Sequence, residues 1–171
     1  IKWCVFMKFT FSWLKDHLNT SANVNEIVDC LNKIGLEVSN LKTYNTDINN
    51  LKVAKIIDVK KHPNADKLNV CTIQFDEEQT QVVCGAPNVK LNKKYVFAPS
   101  GTYIGGIDLT LKKAVIRDVE SNGMLCSEKE LEISDDHNGI IELPASINLN
   151  ENVSNYLGID DPIIEIEITP N

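Results

Sequence analysis

The spacing of apolar and polar residues changes period twice along this chain. Lys8 to Phe11 alternates polar and aromatic, the period of a strand. Ser12 offers an N-cap for a short helix through Leu18, and Asn23 or Asn25 offers one for a second helix. Ile27, Leu31 and Ile34 fall at i, i+4 and i+7, on one helical face. Gly35 follows at the position after the helix end, where left-handed backbone costs glycine little. Residues 41–50 are polar and rich in asparagine, the composition of a linker.

From Leu51 the period becomes two. Leu51 to Val59, Leu68 to Phe75, Gln79 to Cys84, Lys94 to Pro99 and Leu109 to Val119 read as five strands. Asp76-Glu77-Glu78 turns between the second and third, and Gly101, Gly105 and Gly106 break the chain before the fifth. A short apolar run, Ile140 to Leu143, precedes Pro144. Five short strands separated by turn signals predict a small closed or partly closed barrel.

The period shifts again after Asn150. Asn150 to Leu157 predicts a short helix ended by Gly158. Pro162 to Thr169 predicts a strand with Ile164, Ile166 and Ile168 on one face and Glu165, Glu167 and Thr169 on the other. That isoleucine face needs cover, and the N-terminal helices need a sheet. The fold class expected is therefore mainly β with an α+β flank. Residues 7–40 and 152–171 form a small α+β unit, with a five-stranded barrel over 41–151 inserted in it. Residues 1–6 read as an extension ahead of a natural start at Met7.

Composition narrows the chemistry. No stretch of eighteen apolar residues occurs, so no membrane partner is expected. The five cysteines are odd in number and none are spaced C-x-x-C. That argues against a disulfide framework and a zinc site, and for reduced thiols in a cytoplasmic protein. The net charge is −7 but unevenly spread: Leu51–Leu131 holds twelve basic against ten acidic side chains, the remainder five against fourteen. The middle can present a basic face, while the acidic flanks serve solubility equally well. Arg117 is the single arginine, so phosphate contacts must rest mainly on lysine.

Three loops stand out. His62-Pro63-Asn64-Ala65-Asp66-Lys67-Leu68 joins the first two strands, bracketed by Lys60, Lys61 and Lys67. It is either a shaped loop offering cations to a phosphate backbone or an ordinary turn whose Asn and Asp bond to local backbone. Ser121-Asn122-Gly123-Met124-Leu125-Cys126-Ser127 could receive a splayed base on an apolar floor, or could plug the barrel end with Met124 and Leu125. In Val83 to Val89, Asn88 either meets RNA or closes the turn marked by Gly85 and Pro87.

These strings carry a resemblance. V-A-K-I-I-D-V-K-K-H-P-N-A-D-K-L from Val53, then V-V-C-G-A-P-N-V, then S-N-G-M-L-C-S-E-K-E-L resemble the tRNA-binding domain shared by several aminoacyl-tRNA synthetases and stand-alone tRNA-binding proteins. The N-terminal M-K-F-T-F-S-W-L-K-D-H-L, the G-L-E-V from Gly35 and the terminal I-E-I-E-I-T-P-N resemble the start of the bacterial phenylalanyl-tRNA synthetase beta chain. The resemblance spans residues 7–171 and implies an OB-fold for the barrel. It implies tRNA contact at His62, Asn64, Asp66, Lys67, Asn88, Ser121, Gly123, Met124 and Ser127. Lys55, Lys60, Lys61, Lys112, Lys113, Arg117 and Asn122 complete the candidate nucleic-acid surface, with the cations expected on one barrel face. The parent implied is an α2β2 ligase that joins phenylalanine to tRNA using ATP and magnesium. Its catalytic, editing and metal-binding residues lie outside this stretch, which is expected to hold no cofactor.

Other readings of the same residues are narrower. Catalysis here lacks a nucleophile–base pair, and His17, His62 and His137 sit in no metal-ligand motif. Asp135-Asp136-His137 reads as an acidic surface loop, since neighbours in sequence rarely converge on one ion. A structural scaffold with weak RNA contact fits the same pattern. A stand-alone tRNA-binding protein fits the barrel but not the flanking α+β unit.

Overall fold

The computed structural model describes residues 5–168. The chain divides into two compact units: one built from the segment ending at Tyr44 and the segment beginning at Gly158, the other from Asn45–Leu157.

Strand β1 (Val5–Thr10) starts ahead of Met7 and includes Val5 and Phe6. Residues 1–4 lie outside the described residues. Thr10, and not Ser12, caps α1 (Phe11–His17): its hydroxyl accepts from the Trp13 N–H at 3.3 Å. Ser12 is engaged otherwise, its N–H donating to the Asp161 carboxylate at 2.9 Å and its hydroxyl to the same group. Asn23 caps α2 (Val24–Lys33) in a capping box: its side chain accepts from Asn25 and Glu26 N–H groups, and Glu26 accepts from the Asn23 N–H at 2.8 Å. A cap of this kind contributes about 1 kcal/mol. At the far end Gly35 takes φ +91. Gly35 N–H donates to the Asn32 carbonyl at 3.2 Å and Leu36 N–H to the Leu31 carbonyl at 2.9 Å, closing a Schellman motif. Strand β2 (Glu37–Lys42) then runs where the pattern predicted none, into the start of the expected linker.

The barrel begins with β3 (Lys52–His62), β4 (Ala65–Phe75) and β5 (Glu78–Cys84), paired antiparallel in that order. Strand β6 (Lys94–Ala98) returns to the free side of β3. The expected fifth strand, Leu109 to Val119, is not continuous. A two-stranded ribbon of β7 (Tyr103–Ile104) and β8 (Leu109–Thr110) comes first. A hairpin of β9 (Ala114–Ile116) and β10 (Val119–Ser121) follows. Arg117 and Asp118, at φ 47 and φ 72, make the turn between them, which is why the strand breaks there. Positive φ at both central positions is the pattern of a type I′ turn. β6 takes its outer partners from β11 (Met124–Leu125) and β12 (Glu142–Leu143) instead. The sheet order β11-β6-β3-β4-β5 curls until β11 meets β5, giving an OB-like barrel closed by contact and not by a full ladder.

Inward-facing Ala54, Ile56, Cys71, Ile73, Val82, Tyr95, Phe97, Leu125 and Ile140 fill this barrel. Each fully buried large side chain contributes about 1.5–3 kcal/mol relative to exposure. A bulge at Ile57 lets β3 keep Val59 directed inward past it, opposite Cys71. The linker is anchored, not loose: Thr46 accepts from the Gly105 N–H at 2.9 Å and Asp47 from the Tyr103 N–H at 2.9 Å.

Helix α3 (Val153–Leu157) belongs to the barrel unit, whereas the pattern placed residues from 152 onward with the flank. Val153 and Ser154 are buried, and α3 packs on the 3₁₀ turn Ile48–Asn50. Strand β13 (Ile163–Ile168) lies between β1 and β2 in the other unit, antiparallel to both. Ile164 and Ile166 are buried with Ile27, under Phe9, Leu14, Val24 and Leu31. Ile168, expected on that face, is 40% exposed, and Thr169 lies outside the described residues. No helix among the described residues is long and apolar enough to cross a membrane.

Candidate nucleic-acid interface

Register sorts the cations first. Directly opposed residues share a face, so Lys55, Gln74 and Gln79 form one outward row, and Lys60, Val70 and Val83 another. Lys61 opposes Asn69, which in turn opposes Cys84, and so faces the other way. The seven cations therefore do not form one continuous face. Lys60 is paired with Asp58 at 2.8 Å. The hydrogen bond between them, above all, lowers the Asp58 carboxyl and raises the Lys60 ammonium from their ordinary values. Lys55, Lys61, Lys67, Lys112 and Lys113 take part in no ion pair among the described residues.

The outer face of β5 meets the β9–β10 hairpin across two adjoining hollows. One, of about 510 Å³, lies between Gln79, Gln81, Lys113, Val115 and Glu120. The other, of about 480 Å³, has an apolar floor of Val83, Leu109, Leu111, Ile116 and Met124 with Lys112 on its rim. Ala114 and Ser121 line both. Past Val83 and Met124 a third hollow continues over Pro87, Ser127 and His137. The groove thus combines two unpaired ammonium groups, amide side chains and an apolar base. Glu120 is its acidic exception. The only local signal for Gln79, Gln81 and Val83 is the outward half of the β5 alternation, and Glu120, on β10, carries none.

Of the polar residues of the three loops, Ser121, Asn122 and Ser127 line these hollows, while His62, Asn64 and Asn88 do not; all six make hydrogen bonds within the protein. His62 is buried at 4% exposure; its Nδ1 accepts from the Asn64 N–H at 3.0 Å and its Nε2 donates to the Ile116 carbonyl at 2.9 Å. Asn64 Nδ2 donates to the Arg117 carbonyl and the Asp118 carboxylate, both at 3.2 Å, and Arg117 Nη1 donates back to the Asn64 carbonyl at 3.2 Å. Asp66 and Lys67 are exposed on β4. Asn88 staples its loop to residue 140, donating to the Ile140 carbonyl at 2.7 Å and accepting from its N–H at 3.0 Å.

Ser121 accepts from the Val83 N–H at 3.1 Å and donates to the Gly123 carbonyl at 3.3 Å. Asn122 accepts from the Ser100 hydroxyl at 2.7 Å and donates to Thr80 at 3.1 Å. Gly123 has φ +95, and a Cβ there would sit 2.5 Å from the Ala98 carbonyl oxygen. Met124, half-buried on β11, reaches the groove floor. Ser127 is buried, its hydroxyl and N–H both donating to the Glu130 carboxylate. The His62 turn and the Ser121 loop are joined by one element: the hairpin tip bonds to the first and the end of β10 runs into the second.

Among the described residues no group of three His, Cys, Asp or Glu side chains is arranged to hold a metal ion. The buried thiols are chemically quiet. Burial pushes Cys71 up to about 12, and it pushes Cys84 and Cys126 up as well.

Comparison with known proteins bears out the resemblance read from the three strings. The phenylalanine–tRNA ligase beta subunit of Mesorhizobium japonicum is 50% identical over 170 residues, 96% of this chain and 21% of that protein. That of Cereibacter sphaeroides is 46% identical over 172 residues, again 96% and 21%. The chain thus spans about a fifth of the length of these curated relatives. A MetRS related protein from Pyrococcus horikoshii superposes with a TM-score of 0.42 at 21% identity, over 58% of this chain and 84% of that one. Residues 51–152, the whole strand system from β3 to β12, match the family described as "Putative tRNA binding domain", and to that family this chain belongs.

Proposed function

We propose that this chain is the tRNA-binding module of a phenylalanine–tRNA ligase beta subunit, and that it holds RNA through phosphate contacts in the β5–hairpin groove. One observation carries the reading: Lys112 and Lys113, both exposed and unpaired, rim adjoining hollows inside the segment that matches the tRNA-binding family. Lysine without a carboxylate partner gives up little on meeting phosphate and releases condensed counterions from the RNA. The apolar floor at Met124 and Val83 suits a sugar or base edge laid across it.

The joining of phenylalanine to tRNA, with ATP and magnesium, belongs in this proposal to the longer α2β2 assembly in the cytoplasm. The alpha subunit is the proposed protein partner of the whole enzyme.

One observation favours a second reading, a scaffold that touches RNA weakly. The polar side chains His62, Asn64, Asn88, Ser121, Asn122 and Ser127 all have intramolecular partners. Fluorescence titration with tRNA at several salt concentrations separates the two. The binding reading expects affinity to fall linearly on a log–log plot, with a slope smaller by about 1–2 in Lys112→Ala/Lys113→Ala. Undetectable binding at low salt supports the scaffold and ends the binding reading.

A further inference from the structure

We infer that His62 and Asn64 do not themselves meet nucleic acid but are positioning residues, clamping the β9–β10 hairpin so that Lys112, Lys113 and Arg117 are held toward a phosphate backbone. The inference deepens the reading above, on which its binding measurement rests.

The hairpin cannot hold its own shape. Its strands are three residues each, and most of its side chains are exposed. An isolated two-stranded ribbon of this size is not independently stable in water. Its two-residue turn needs left-handed backbone at both central positions, which Asn-Gly supplies readily and Arg117-Asp118 does not. Something outside the hairpin must stabilise it.

The His62 turn lies 53 and 54 residues away in sequence and does so through several hydrogen bonds. Because His62 Nδ1 accepts the Asn64 N–H, the ring carries its proton on Nε2, which is the donor the Ile116 carbonyl requires. Asn64 then takes the Arg117 carbonyl and the Asp118 carboxylate with one side-chain amide, and its own carbonyl receives the Arg117 guanidinium. Ile116, Arg117 and Asp118, three of the turn's four residues, are thereby tied to the β3–β4 connection. The far end of the hairpin is tied separately, where Gln81 Nε2 donates to the Glu120 carbonyl at 2.8 Å. With the His62 ring buried and both its nitrogens engaged, it has no group left to offer RNA. Its effect on binding must pass through the hairpin.

The test uses the 171-residue chain with His62→Ala, Asn64→Ala and the triple variant Lys112→Ala/Lys113→Ala/Arg117→Ala. Amide hydrogen exchange should show residues 114–121 losing about five- to tenfold protection in His62→Ala, which removes one hydrogen bond to the hairpin, and at least as much in Asn64→Ala, which removes two, with β3–β5 still protected. The salt slope for tRNA should drop in Asn64→Ala toward that of the triple variant. Adding Asn64→Ala to the triple variant should change nothing further. Unchanged hairpin protection in both single variants overturns the inference. So does a further loss of affinity when Asn64→Ala is added to the triple variant, which would mark a direct contact. If His62→Ala loses the β3–β5 protection as well, the exposed Asn64 carries the test alone. Failure of the unaltered chain to bind tRNA refutes the proposed function, while the exchange measurement still decides the positioning role.

Discussion

Gly101 and Gly123 allow backbone strain to be separated from crowding. Both are in the barrel unit, at φ +98 and φ +95. A Cβ at Gly101 would meet nothing within 4 Å. At Gly123 it would lie 2.5 Å from the Ala98 carbonyl oxygen and 2.6 and 2.8 Å from two Phe97 ring carbons. Neither neighbour can give way. Ala98 is backbone in β6, and the Phe97 ring is 1% exposed, with its centroid 4.9 Å from that of Phe75. Gly101→Ala should therefore cost only the left-handed penalty, about 1–2 kcal/mol. Gly123→Ala adds overpacking of about 1–3 kcal/mol. For a unit of this size 1 kcal/mol moves Tm by roughly 3–5 °C. Gly123→Ala should then melt about 3–15 °C below Gly101→Ala when both are followed by far-ultraviolet circular dichroism. Equal melting temperatures, or a lower one for Gly101→Ala, would refute the crowding argument and with it the close seating of the Ser121–Met124 loop on β6.

Two further outcomes follow from the same packing. Asn88→Ala leaves the Ile140 N–H and carbonyl without their partners, and should cost about 1–3 kcal/mol, read as a lower urea midpoint at constant m. Burial raises the folded-state thiols of Cys71, Cys84 and Cys126, while unfolded thiols titrate near pH 8.5. Above that pH the unfolded chain gives up protons that the folded chain keeps. Stability should be complete below about pH 8.5 and fall toward pH 12, by up to about 1.4 kcal/mol per pH unit for each thiol. Urea titrations at pH 8 and pH 10 check this, and an unchanged midpoint contradicts it.

What was legible from sequence followed local rules. The i, i+4, i+7 apolar spacing of α2, its Asn23 cap and its Gly35 end are determined within a dozen residues, and they formed as the pattern implied. β3 to β6 were equally clear, because one side of each strand fills the barrel. β2 was not, since of its six residues only Val38, Leu41 and Lys42 are partly buried, and a bulge in its pairing with β13 breaks the alternation. The apolar run from Leu109 imitated one strand because Leu109 and Val115 alternate correctly, although both are exposed. Nothing local announces a turn at Arg117-Asp118; its reason lies with His62 and Asn64, more than fifty residues earlier. The same distance hid the use of Asn88, whose partner is Ile140. Sequence could place the loops in order and name their residue types, but which side chains faced inward depended on contacts that no short window contains.

The order β1-β13-β2 also constrains how the protein is made. The central strand of that sheet leaves the ribosome after both of its neighbours, so the two outer strands, finished more than a hundred residues earlier, must wait without a partner. In the meantime the intervening barrel, whose strands all pair among themselves, is free to close during translation. Ending synthesis before Ile163 would leave an intact barrel trailing a sheet with no middle, its aromatic and aliphatic side chains open to chaperones and proteases.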